Sequence, residues 1–125
     1  MVSAVDHLGV QFHHTDLPGD YHRVTARIGH DEIGWLQHKG GTSSEHHTAG
    51  EISALGVAES YQHQGVATAM YHEAAKVSPV PVHSSPVRTK AGEGWGVKAG
   101  VPRVPLRDEG YLADMEPPPI KYVRD

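Results

Sequence analysis

The amino-acid sequence predicts a mixed α/β (α+β) domain with a central, mostly antiparallel sheet and two main helices. Three observations carry that expectation. Apolar and polar residues alternate in two segments before residue 30, the period-2 signature of half-buried strands, and a third strand resumes after a turn. Glu51 to Val57 then leads through a polar turn into an alanine-rich segment with helical spacing. A second helical segment stops at Gly100, a residue type suited to ending a helix. At 125 residues and 13.5 kDa the chain fits one core, so residues 1–100 are read as the domain. Residues 101–125 are read as a Pro-rich tail packing on that domain or on a partner subunit.

Taken in order, Leu8, Val10 and Phe12 alternate with Gly9 and Gln11 as a first strand. Val24, Ala26 and Ile28 alternate with Arg23, Thr25 and Arg27 as a second. Gly29-His30-Asp31-Glu32 has turn composition and Ile33 to Gln37 resumes as a third strand, so Arg23 to His38 reads as a hairpin with Gly34 marking a bulge. Residues 39–50 read as a loop and Glu51 to Val57 as a fourth strand. In the helix over Gly65 to Val77, Val66, Met70, Ala74 and Val77 fall on one stripe. Val80 to His83 is a short fifth strand, and Thr89 to Ala99 the second helix. Gly92, Gly94 and Gly96 each cost on the order of 1 kcal/mol against Ala inside a helix, so a close backbone or ligand is expected beside them. In the tail, Ile120 to Val123 can add an edge strand.

Composition narrows the function. Leu, Ile, Val and Phe make up only about a fifth of the chain, so the core is expected to be small and helped by a ligand or partner. Eleven bases face 15 acids, which argues against a constitutive nucleic-acid partner. Zero cysteines exclude disulfides and a thiolate nucleophile, and no apolar run suits a membrane span, so a cytoplasmic location without membrane association is expected. The 11 histidines invite a metal reading, but His13 and His14 point to opposite faces of a strand and His46-His47 lies in a loop. No metal is expected.

The chemistry concentrates in residues 51–70. A strand leads through Ala58-Glu59-Ser60-Tyr61-Gln62-His63-Gln64 to Gly65, where a helix begins. Free backbone N–H groups at such a helix start, at the positive end of its dipole, suit a pyrophosphate. Gly65 permits close approach, the small Ala67 keeps bulk away, and Gln62 can stiffen the turn.

With its strand before it and its helix behind it, Gln62-His63-Gln64-Gly65-Val66-Ala67 resembles the Gln/Arg-x-x-Gly-x-Gly/Ala acetyl-coenzyme A binding core of the GNAT N-acetyltransferases. The resemblance runs from about Arg23 through Gly100-Val101 and is strongest over residues 51–77. It implies an abbreviated GNAT fold in which the fourth and fifth strands splay apart and pantetheine enters the gap. By the same match, backbone at Leu55 and Val57 pairs with pantetheine and the amides of Gln64, Gly65, Val66, Ala67 and Thr68 hold the pyrophosphate, with Gln62 and His63 in the turn. Glu51 stands eleven residues before Gln62, the spacing of the general-base glutamate in histone-type members; it is equally readable as a solvated residue at a strand start. Thr89 falls where relatives carry a cofactor-contacting Asn, or is a helix N-cap. The implied activity is acetyl-CoA-dependent acetyl transfer directly to an amine of unknown identity; the alternative is a noncatalytic GNAT-fold binding or assembly module.

Two departures stand beside the resemblance. The position of the usual general-acid tyrosine falls on Gly96, which leaves His83 as the nearest substitute, or as a structural strand-end histidine. Residues 13–21 are too short for the helices that usually follow the first strand, and a tail replaces the usual closing strands. The edge of the fifth strand therefore needs a cover, and a homodimer pairing through that strand or the tail is expected.

Overall fold

The computed structural model describes residues 9–107, 110–113 and 116–123. Four strands follow one another across an antiparallel sheet, β1 (Gln11–Leu17), β2 (Tyr21–Ile28), β3 (Asp31–Lys39) and β4 (Ile52–Val57), and β5 (Lys121–Tyr122) pairs with β3. Helix α1 (Val66–Val77) packs across β2, β3 and β4, and α2 (Lys90–Ala99) follows it. The mixed α/β class, the antiparallel sheet and both helices agree with the alternation and spacing in the sequence.

The first strand differs from its expected place. Val10 lies outside it, Leu8 is outside the described residues, and β1 instead runs through the polar stretch His13 to Asp16. Residues 13–21 are thus not a connection. A three-residue turn, Pro18-Gly19-Asp20, joins β1 to β2, with Gly19 at φ 79° and Asp20 at φ 61°. β1 is an edge strand exposed over most of its length, so its residues need not alternate and the period-2 signal fails.

Register places Val24, Leu36 and Leu55 in one row and Ala26, Gly34 and Val57 in the next, both facing α1. Val66, Met70 and Ala74 meet them from the helix, all buried, together with Ile33, Val82 and Val101. Ile33 is the extra residue of a bulge, since Glu32 pairs with Arg27 and Gly34 with Ala26. A Cβ on Gly34 would lie 2.9 Å from the Gly56 carbonyl oxygen and 3.3 Å from the Met70 methyl, so glycine lets helix and strand close together there. Val77 leaves the expected stripe and is exposed.

The expected fifth strand, Val80 to His83, is reduced to one parallel bridge between His83 and Glu51. Pro79 and Pro81 flank it without N–H groups to extend a ladder. The His83 amide donates to Gly50 and its carbonyl accepts from Ile52. Beyond Ser84 the chain pairs with its own tail: the Ser84 amide donates to Pro102, Arg107 to Pro86 and Leu112 to Arg88. Arg88 and the tail's Arg103 both grip Glu93 of α2. From Ser84 to Arg88, then, it is the chain's own tail that lies along this segment, one of the two covers the sequence offers.

Helix α2 is capped as its ends predict, with the Thr89 hydroxyl accepting from Gly92 N and Gly100 at φ 73° ending it. Its glycines do not answer to close packing. A Cβ on Gly94 would meet nothing within 4 Å, and one on Gly96 only Val101 at 4.0 Å.

Candidate functional site

β4 ends at Val57, a 3₁₀ turn spans Glu59–Tyr61, and α1 begins after Gly65. The Gln62 side-chain amide donates to Val57 O at 3.0 Å, and that of Gln64 to Ser60 O at 3.0 Å, so two glutamines tie the turn to the strand and to itself. Left-handed backbone at His63 (φ 62°) and Gly65 (φ 87°) then swings the chain into the helix. No side chain caps the start of α1, which leaves the amides of Val66, Ala67 and Thr68 facing outward at the positive end of the helix. Gly65 is exposed and the half-buried Ala67 contributes only a methyl group. An uncapped helix start of this kind is favourable to negative charge.

Leu55 and Val57 belong to the same unit. β4 pairs along one side with β3, and on its other side only the bridge at Glu51 ties it to the following segment. Past Ser84 that segment hydrogen-bonds to the tail, and among the described residues no backbone bond beyond Ile52 joins it to β4. Three of the expected cofactor contacts have partners within the protein: the Val57 carbonyl accepts from Gln62, the Thr68 hydroxyl accepts from Trp95 Nε1 at 3.2 Å, and the Thr89 hydroxyl caps α2.

Glu51 and His83 are brought together by the bridge and by a shared neighbour. The Thr48 hydroxyl is 3.3 Å from a Glu51 carboxylate oxygen and 3.4 Å from His83 Nε2. His83 is held firmly, with Nδ1 2.9 Å from the Ser84 carbonyl and Nε2 3.1 Å from that of Ala49. Glu51 is not a solvated strand-start residue, being only 4% exposed. Its second carboxylate oxygen lies 3.8 Å from His47 Nε2, and His47 Nδ1 is 2.7 Å from the Tyr21 hydroxyl. Lys39 Nζ sits 4.6 Å from the centre of the Tyr21 ring.

Tyr21 and His47 escaped the sequence reading. In the sequence Tyr21 belongs to the stretch between the first two strands, and His47 stands out only as half of the His46-His47 pair. The register that pairs Tyr21 with Lys39, and the Lys39 amide that donates to Glu51 O, assemble the group from three distant segments.

A second group lies at the opposite end of α1. His14, Asp16, His22 and His38 share the sheet face that carries the core, and with Asp20, Val77 and Pro79 they line a cleft of about 460 Å³. His22 lies between two carboxylates, with Nδ1 2.8 Å from Asp16 and Nε2 3.0 Å from Asp20. Its ring stacks on that of His38 at 5.6 Å. Partial burial works against a charge on His22, but the hydrogen bonds to Asp20 and Asp16 outweigh it and raise its pKa. Burial pushes that of His38 down, only partly opposed by its contact with the Lys39 carbonyl. The Thr42 hydroxyl and His22 hold the Asp20 carboxyl at about 2.

Among the described residues no three His, Asp or Glu side chains converge on a metal position, and no helix is long and apolar enough to cross a membrane. No family model, curated protein or solved structure matches the chain.

Proposed function

We propose that the protein is an abbreviated GNAT-type N-acetyltransferase that takes acetyl-CoA and transfers acetyl directly to an amine. One observation carries the reading: an uncapped helix start behind left-handed Gly65, set beside a β4 that is paired on its far side at a single bridge. The amides of Val66, Ala67 and Thr68 bind the pyrophosphate, and backbone at Leu55 and Val57 orients pantetheine in the gap beside β4. When bound, acetyl-CoA supplies the activated acetyl thioester. Gly96, where the usual tyrosine would stand, has no side chain to donate a proton. Glu51 is the proposed general base. Buried as it is, it would pass a proton by way of His47, whose Nε2 must first close the 3.8 Å to its carboxylate and whose Nδ1 is 2.7 Å from the half-buried Tyr21 hydroxyl. His83 positions Glu51 through Thr48.

The burial of Glu51 also supports a second reading, a GNAT-fold module that binds without turnover. Calorimetric titration with acetyl-CoA, paired with thermal melting, tests both. Binding with a melting temperature that climbs with ligand concentration supports the site, and release of free coenzyme A with an amine present selects the enzyme. Absence of binding overturns the transferase.

A further inference from the structure

The two edges of the sheet are finished differently. Beside β4 the chain runs through Pro79 and Pro81, which have no N–H to offer, and a single bridge forms there. β1 lacks the usual devices that keep an edge from pairing. Gln11–Leu17 contains no proline, lysine or arginine, and it matches β2 residue for residue along its whole length, without a bulge. Among the described residues no strand pairs with its other side.

The order of its side chains says what fits there. Residues paired across antiparallel strands lie on the same face, so when a strand pairs with its own copy the two-fold axis passes through a residue. An axis at His14 sets that ring against its own copy and Asp16 against Phe12; an axis at His13 sets His14 against Phe12. With the axis at Thr15, threonine meets threonine, His13 meets Leu17, and His14 meets Asp16 twice. Both members of that last pair are open to it. The Asp16 side chain is 90% exposed with one oxygen 2.8 Å from His22, which leaves the other oxygen. The His14 side chain is 37% exposed, and its Nε2 stands 3.9 Å from Glu73, too far for a hydrogen bond. A foreign strand has to bring its own answer to the Asp16 carboxylate. A second copy brings it in His14 and receives the same in return.

We propose that β1 pairs with the β1 of a second copy of this chain, antiparallel about Thr15 and over His13 to Leu17, so that the two sheets continue as one. Pro18, which lacks an N–H, ends the ladder on each side. The dimer stands apart from the transferase reading, which uses no residue of β1.

The chain has no cysteine, so a single introduced one reports its own contacts. In the proposed dimer Thr15→Cys sets two thiols on the axis with Cα atoms about 4.5–5.5 Å apart, inside disulfide range. Gln11→Cys sets them about 27 Å apart, since its offset from the axis counts twice at about 3.4 Å per residue. Under mild oxidation Thr15→Cys is expected to give a covalent dimer and Gln11→Cys to stay uncoupled. Sedimentation of the unmodified chain should show a monomer–dimer equilibrium at micromolar concentration. Thr15 is exposed, so Thr15→Lys keeps the fold while bringing like charges together on the axis, and it should weaken the dimer about ten-fold or more. A chain that stays monomeric into the hundreds of micromolar overturns the proposal and leaves β1 to an extended segment of another protein. Thr15→Cys that couples no faster than Gln11→Cys, or a dimer that Thr15→Lys leaves intact, overturns it as well and moves the contact to another surface.

Discussion

The two ends of α1 are built on opposite principles. At the N-terminal end the chain offers backbone: bare amides, a left-handed glycine and a methyl group, all within residues 62–68. At the C-terminal end it offers side chains, three histidines and two aspartates gathered from β1, β2, β3 and a turn. One end presents amide donors whose placement depends little on side-chain identity. The other presents titratable side chains, whose identity is what defines it.

The sharpest way to break this contrast is Gly65→Glu, which sets bulk and negative charge on the amide cradle. Acetyl-CoA binding should disappear in calorimetry while the histidine resonances at the other end stay in place; retained affinity in a folded variant removes the pyrophosphate assignment. Next in size is Glu51→Gln. It should leave cofactor affinity intact and lower turnover by roughly 10²–10⁴-fold, with Tyr21→Phe causing a smaller loss of about ten-fold if the relay operates. Equal turnover in all three proteins would return Glu51 to a purely structural role.

The same contrast explains what was legible in the sequence. Gln62, Gly65 and Ala67 are neighbours along the chain, so a local pattern exposes the N-terminal end. The cleft depends on the pairing of His14 with Val24 and of His22 with His38, which sequence spacing does not reveal until the hairpins are in register. β1 hid that register because it is an edge strand whose polar residues break the alternation. The single bridge at His83 is hidden for another reason, since Val80 to His83 has strand composition while Pro79 and Pro81 lack the amides a ladder needs.

The stacked histidines give a test of the C-terminal end by pH. His22 has a raised pKa, so its contribution to stability is complete below its unfolded value near 6.5 and fades as pH rises through the folded value. His38 has a lowered pKa, so its contribution is present above about 6.5 and fades as pH falls toward the folded value. Between pH 7.5 and 5.5, the deficit in melting temperature of His22→Asn against the parent protein should therefore grow, and that of His38→Phe should shrink. Parallel trends in the two variants would show that the pair does not divide its charge as described.

The smallest expected effect touches neither end. Gly94 is exposed in the middle of α2 with open space where a Cβ would stand. Gly94→Ala should raise stability by about 0.5–1 kcal/mol, read from chemical denaturation, and leave both ends of α1 unaltered. A destabilised variant would indicate a contact that the packing around α2 does not contain.

The lane beside β3 has a consequence for the order in which the chain folds. β4 occupies that lane up to the pairing of Val57 with Gly34; Lys121 and Tyr122 then continue it along Glu32 and Asp31, with Pro118 laid against Gly56. The hairpins β1–β2 and β2–β3 close over short loops and can form while the chain is still being synthesised. Pairing Asp31 with Tyr122 has to wait for about ninety more residues to be made. Until then the start of β3 presents an unpaired edge to any strand it meets, an opening that only the completed chain closes, whereas β1 is still an edge strand in the finished fold.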